Sequence, residues 1–295
     1  MMVGRSLKVI GGFCFVETSS GQVVRCAVRG KLRGYGRVIA GDLVSYQRVG
    51  TDSGVVQDIL PRSSCLERPA VANVTQVLVV ATLRQPRLNL NLLDRTLALV
   101  EHHGLRAVLC INKCDLYSDG ETDGLARMYG EMGYRVLVTS AHTGEGIGEL
   151  LSLLRGQITV LSGRSGVGKS SLLNAINPEF KLRVGELGRW DEGTHTTRNV
   201  ELLRLKEGGY VADAPGFQRL ELAGVSSGEL PKLFKDIAAY GGQCRFRSCL
   251  HWKENDCAVK QAVREGKISQ SRYENYLNML REILEVEESK PWERQ

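Results

Sequence analysis

No apolar run in this 295-residue chain approaches the ~20 residues needed to cross a bilayer, and the opening MMVGRSLKVIGG lacks the long apolar stretch of a signal peptide. A cytoplasmic protein with no membrane partner is therefore expected. Internal repeats are absent, which excludes a solenoid or propeller, and so are low-complexity tracts. No heptad pattern or large apolar stripe demands an oligomer, so a monomer is expected. What the chain lacks among its eight cysteines is a disulfide framework. Cys14, Cys26, Cys65, Cys110 and Cys114 are scattered, mostly within apolar strand-like runs, and most of them read as reduced, buried small hydrophobes. Only Cys244, Cys249 and Cys257 cluster, around His251.

The net charge is +6. Residues 1–70 hold ten Lys or Arg against five Asp or Glu, residues 71–225 hold seventeen of each, and residues 226–295 hold twelve against eleven. The excess therefore sits at the N-terminus. A basic segment joined to a neutral centre suggests a polyanionic partner, and nucleic acid fits better than membrane because no basic amphipathic helix accompanies it.

Three domains are expected, at 1–68, 69–225 and 226–295. Residues 7–60 alternate short β-rich runs with glycine breaks (LKVIGGFCFVET, QVVRCAVRG, DLVSYQRV, GVVQDIL), a pattern that suits a five-stranded β-barrel of the OB type. Its stretch from Arg29 to Arg37 interleaves basic residues with Tyr35 and glycines, a composition able to track phosphates and stack a base. Pro61 and Pro69 bracket an expected linker. Beyond it, apolar runs at 77–83, 106–111, 135–139, 158–162, 199–205 and 209–212 alternate with helix-compatible segments at 92–103, 121–132, 146–154 and 170–176. This predicts a parallel sheet covered on both faces, with ligands at the carboxyl ends of its strands. Helices are predicted at 228–240, 257–266 and 270–286.

The strongest motif is Gly163-Arg164-Ser165-Gly166-Val167-Gly168-Lys169-Ser170, which follows the strand-like QITVLS and leads through Ser171 into a helix. It fits GxxxxGK[ST] in the strand-loop-helix setting that a phosphate-binding loop requires. Glycines let successive N–H groups face one concavity, Lys169 would reach the β- and γ-phosphates, and the Ser170 hydroxyl would hold Mg²⁺. Asn112-Lys113-Cys114-Asp115 names the base. The Asp115 carboxylate can accept from N1–H and the exocyclic amine of guanine, a donor pair that adenine lacks, while Asn112 contacts the other edge and the Lys113 stem covers the ring. Ser140-Ala141, after the run RVLVT, would offer a backbone N–H to guanine O6.

Asp213-Ala-Pro-Gly216 fits DxxG, with Asp213 near Mg²⁺ and the Gly216 N–H at the γ-phosphate. Upstream, Thr197 is the expected switch ligand of Mg²⁺, with Thr196 the alternative. Phe217 stands where many GTPases place a water-orienting glutamine, so slow unaided hydrolysis is expected; His195 is the candidate for orienting water. The order is guanine motifs, phosphate loop, switch threonine, DxxG. A GTPase domain with this order is circularly permuted, yet every motif still meets the same sheet edge.

Cys244-x4-Cys249-x-His251-x5-Cys257 offers three thiolates and an imidazole, a set that suits one tetrahedral, closed, structural Zn²⁺. Arg245, Arg247 and Lys253, interleaved with Phe246 and Trp252, give the same element an RNA-contacting character.

With these motifs in place, nearly the whole chain resembles the ribosome small-subunit-dependent GTPase family, also called RsgA or YjeQ. The resemblance implies an OB-fold barrel, a circularly permuted α/β P-loop GTPase domain and a C-terminal α-helical zinc domain. It also implies a GTPase of late small (30S) subunit assembly, bound to the subunit and its rRNA and stimulated by it. The switch segment departs from the family's compact GRGRHTT, reading GRWDEGTHTT. The alternatives are an RNA-binding protein with GTP as a regulatory ligand only, or a permuted GTPase of the large subunit.

Overall fold

The computed structural model describes residues 1–28, 36–118, 120–182, 200–213, 222 and 224–289. The basic loop from Arg29 to Tyr35 lies outside the described residues, as do His195, Thr196, Thr197, Gly216 and Phe217.

Strands β1 (Met2–Ile10), β2 (Phe13–Glu17), β3 (Val23–Val28), β4 (Leu43–Arg48) and β5 (Ser53–Ile59) close into a barrel in the order β1-β2-β3-β5-β4. Only the β3–β5 pair is parallel. The run LKVIGGFCFVET is two strands rather than one. Gly11 and Gly12 both have positive φ (56° and 79°), the backbone that a two-residue hairpin turn requires. Alternating residues such as Val16, Val24, Val44, Tyr46 and Val56 fill the interior.

The expected linker is instead structured. Strands β6 (Cys65–Glu67) and β7 (Ala70–Ala72) pair as a hairpin whose Leu66 and Val71 enter the core of the central domain. Arg62 pins the hairpin to the barrel by a two-pronged ion pair with buried Asp42, at 2.7 and 2.9 Å. Three-residue strands are too short for an alternation signal, so their sequence reads as a linker.

The central sheet has the order β10-β9-β8-β11-β13-β12, built from β8 (Gln76–Ala81), β9 (Arg106–Asn112), β10 (Arg135–Thr139), β11 (Ile158–Ser162), β12 (Leu202–Arg204) and β13 (Tyr210–Asp213). Five strands run parallel. Edge strand β12 corrects the all-parallel expectation, because it pairs antiparallel with β13. Five intervening residues suffice for a hairpin but not for the dozen or more of a parallel crossover. Helices α1 (Leu90–His102) and α2 (Glu121–Glu131) cover one face, and α3 (Ile147–Leu154) and α4 (Lys169–Ile176) the other. In β8 the period of two is visible in the packing: Val77, Val79 and Ala81 join the first layer, Leu78 and Val80 the second.

The barrel docks on the β12–β13 edge. Buried Glu17 accepts from Arg204 Nη1 at 2.7 Å and from the Tyr210 hydroxyl, while Lys8 pairs with Glu201 at 2.8 Å.

In the C-terminal region the helix predicted at 228–240 is broken. A 3-10 turn spans Leu230–Leu233, Phe234 is extended, and α5 covers Lys235–Gly241. Pro231 stands in the first turn of the 3-10 segment, where a missing N–H breaks no helical bond; the break falls at Phe234, whose extended backbone (φ −104°, ψ 101°) starts α5 afresh. Helices α6 (Ala258–Arg264) and α7 (Gln270–Ser289) follow. Their core includes Ala98 and Leu99 of α1, so this region shares a hydrophobic core with the central domain.

Candidate nucleotide and metal sites

Parallel pairing brings the sequence motifs to one edge of the sheet. The guanine motif leaves β9, Ser140-Ala141 leaves β10, the phosphate loop leaves β11, and Asp213 ends β13 opposite Leu161. The phosphate loop needs its glycines. Gly163, Gly166 and Gly168 have φ of 141°, 84° and 97°, and a Cβ at Gly163 would lie 2.3 Å from the Val80 carbonyl oxygen. Gly168 caps α4, so Lys169 and Ser170 occupy its first turn, both buried. Lys169 Nζ donates to the Gly163 and Arg164 carbonyls at 2.7 and 3.1 Å, within the loop that would receive phosphates. Arg164, Ser165 and Gly166 are exposed, Ser171 is half-buried, and Val167 packs into the core beneath.

Asn112 joins the base-reading and phosphate motifs. Its Nδ2 donates to the Val167 carbonyl at 2.8 Å, and its Oδ1 accepts from the Thr139 hydroxyl at 3.2 Å and the Ala141 N–H at 3.3 Å. Thr139 also meets Cys110 Sγ at 3.2 Å, beneath the sheet edge. The Ser140 hydroxyl donates to the Asp115 carboxylate and accepts from the N–H groups of His142 and Thr143 at 3.2 and 3.1 Å. Asp115 itself stays exposed. The carboxylate is thus oriented from one side and open on the other, an arrangement able to accept from a pair of donors on one ligand edge. Burial pushes the half-buried Cys114 thiol up to about 11, so it stays neutral at pH 7.

Lys113 takes a left-handed backbone (φ 64°) and sends Nζ to the Gln85 carbonyl at 2.8 Å. Thr139, Tyr117 and Gln85 escape motif reading. Thr139 has the only detectable signature, a hydroxyl at the end of a strand otherwise apolar; a backbone carbonyl such as that of Gln85 has none.

The metal-ligand candidates also converge. One ligand atom from each of Cys244, Cys249, His251 and Cys257 falls within a set separated by no more than 4.8 Å. Sγ of Cys244 lies 3.9 Å from that of Cys257, and His251 Nδ1 lies 3.5 and 3.4 Å from the two sulfurs. A Zn–S bond of ~2.3 Å places tetrahedral sulfurs about 3.8 Å apart, so the cage fits that ion. Burial pushes the Cys249 thiol up to about 12 and holds the His251 imidazole below its ordinary range. The His251 ring therefore stays neutral, as a ligand must, and the thiolate needs a cation to form. Around the cage, the Tyr273 and Tyr276 hydroxyls donate to the His251 and Leu250 carbonyls, each at 2.6 Å. Glu254 accepts from the N–H groups of Leu250 and Trp252 at 2.8 and 2.9 Å.

A family model described as RsgA GTPase matches residues 59–223. The chain is 48% identical over 290 residues to the small ribosomal subunit biogenesis GTPase RsgA of Moorella thermoacetica, covering 98% of this chain and 99% of that protein. It is 41% identical to the protein of the same name from Bacillus velezensis, with 97% and 98% covered. Among solved structures, YjeQ from Thermotoga maritima superposes with a TM-score of 0.85 at 40% identity, covering 96% of this chain and 98% of that one. YloQ, described as a circularly permuted GTPase, gives 0.82 at 37% identity, covering 99% and 96%. The chain belongs to the RsgA GTPase family and is a GTP-hydrolysing enzyme.

Proposed function

We propose that this enzyme assists late maturation of the small ribosomal subunit in the cytoplasm, acting as a monomer that binds the subunit and its rRNA and hydrolyses GTP slowly until the subunit stimulates it. The observation that carries the reading is the convergence of a guanine motif and a phosphate loop on one sheet edge, in a chain that also has a basic OB barrel and a Cys₃His cage. The relatives named for small-subunit biogenesis support the choice of partner.

Within this reading, residues 1–68, 69–225 and 226–295 are the barrel, GTPase and zinc domains. Asn112, Lys113, Cys114, Asp115, Ser140 and Ala141 hold guanine; residues 163–171 hold the phosphates. Mg²⁺ supplies charge neutralisation at the phosphates, held by Ser170 and Thr197, with Asp213 alongside. Lys169 steadies the β- and γ-phosphates, the Gly216 N–H meets the γ-phosphate, and His195 orients water. Zn²⁺ in the Cys₃His cage keeps the knuckle folded, with Arg245, Arg247 and Lys253 positioned to meet rRNA phosphates.

The test is GTP turnover by the full chain alone, with small subunits, and with large subunits. Stimulation on the order of 10³-fold or more by small subunits only is expected, the scale of a contact that completes a GTPase site. Full speed without subunits, or stimulation by large subunits, would overturn the assignment.

A further inference from the structure

Between β8 and α1 the chain crosses the sheet edge as an irregular segment, residues 82–89, which lies between the guanine motif and the phosphate loop. Both motifs bond to its backbone. Lys113 Nζ donates to the Gln85 carbonyl at 2.8 Å, and Arg164 Nη1 donates to the Arg87 carbonyl at 3.0 Å. Pro86 sits against the phosphate loop, its Cδ 3.8 Å from where a Cβ on Gly166 would stand. The placement of two carbonyls therefore sets where two nucleotide-facing side chains rest.

The segment is shaped from outside as well as within. Internally, the Leu88 N–H donates to the Leu83 carbonyl at 3.0 Å and the Thr82 hydroxyl to the Pro86 carbonyl at 2.7 Å. Externally, the Tyr117 hydroxyl accepts from the N–H groups of Leu83 and Arg84 at 2.9 and 3.4 Å. Tyr117 follows Asp115 by two residues and caps the 3-10 turn Cys114–Leu116 that carries the aspartate. One aromatic side chain thus ties the turn bearing Asp115 to the segment that receives Lys113.

We infer that Tyr117 is a positioning residue for the guanine nucleotide, acting through the Gln85 carbonyl to hold Lys113. The inference rests on the guanine-site reading above. Lys113 needs such support, because its left-handed backbone (φ 64°) is unfavourable for a residue with a Cβ. Its ammonium bond to Gln85 offsets that cost and holds the stem across the place of the base. Without the Tyr117 hydroxyl, two backbone donors lose their acceptor, the 83–85 segment loosens, and Lys113 loses its fixed anchor.

The experiment measures release of a fluorescent GDP analogue from the full-length chain by stopped flow. Tyr117→Phe removes the acceptor and keeps the ring. Release is expected to quicken about three- to tenfold, the scale of a hydrogen bond or two, with circular dichroism unchanged. In a Lys113→Met background, which keeps the stem and removes the ammonium, the same tyrosine change is expected to have no further effect. An unaltered release rate in Tyr117→Phe would overturn the inference. So would an equal acceleration in both backgrounds, since Tyr117 would then act on general stability and not through Lys113. If Asp115→Asn keeps full preference for guanine, the guanine-site reading itself fails, and this inference with it.

Discussion

Two dense polar clusters, one at the sheet edge and one where α1 meets the C-terminal helices, differ in what completes them. Around Asn112 and Ser140 each side chain orients its neighbour, yet the series ends at Asp115, whose carboxylate faces solvent. Where α1, α2, α5 and α7 meet, the series closes on itself. Arg272 of α7 is 1% exposed and pairs with Asp94 of α1 and, at 3.2 Å, with Asp236 of α5. Asp94 further accepts from the Tyr129 hydroxyl at 2.7 Å and the Asn275 amide at 2.6 Å, and the guanidinium stacks over Phe234 at 4.5 Å. Burial pushes the Asp94 carboxyl up, and Arg272, Tyr129 and Asn275 oppose that shift. A cluster left open at one group awaits a ligand, whereas a cluster satisfied on all sides joins two parts of the chain. The Cys₃His cage is a third kind, closed in space and completed only when a cation enters and the thiols give up their protons.

The cage gives the sharpest test of this distinction. Stripping metal with a chelator removes a binding free energy that is about 10 kcal/mol or more for structural zinc. The C-terminal region is expected to lose helical circular dichroism first, with one zinc released per chain by elemental analysis. Full retention of that helical signal in a verified metal-free sample would refute a structural role.

Asp115→Asn attacks the open cluster. Guanine preference over xanthine is expected to fall by up to about 10⁴-fold, read by competition binding, because the new amide N–H meets the exocyclic amine of guanine donor to donor but can donate to the carbonyl that xanthine carries at that position. Since Asp115 is exposed, the denaturation midpoint without nucleotide is expected to stay put. A large stability loss with specificity retained would erase the contrast between the two clusters.

Arg272→Leu attacks the sealed one and reverses the pattern. Leaving Asp94 and Asp236 buried without their partner is expected to cost about 3–5 kcal/mol in urea denaturation, while guanine preference is unchanged. If replacing Arg272, Asp94 and Asp236 together by apolar residues restores stability, the cost of the single change lies in the orphaned charges and not in lost packing.

The legibility of these regions in sequence follows their chemistry. The phosphate loop, Asn112 to Asp115 and the Cys₃His spacing follow patterns set by the groups that such motifs hold, so each shows as a local pattern. The barrel was legible too, because its strands alternate and glycines break them. The Asp94–Arg272 pair was not: 178 positions separate its members, and each alone reads as a solvated charge on a helix. The β6–β7 hairpin escaped for lack of length, and the antiparallel turn of β12 showed only in pairing. Tyr117 was hidden for a different reason, since the groups that it serves are backbone N–H donors common to every residue.

The buried pair also has an evolutionary consequence. Because either member alone would strand a charge in the core, positions 94 and 272 cannot drift independently. A lineage that replaces one must pass through a weakened chain or change both within a short interval. Among RsgA relatives, these two positions and 236 are expected to vary as a unit, with an apolar set replacing the charged set wholesale, and chimaeras that take the central and C-terminal regions from lineages with different sets should fold poorly even where each parent is stable.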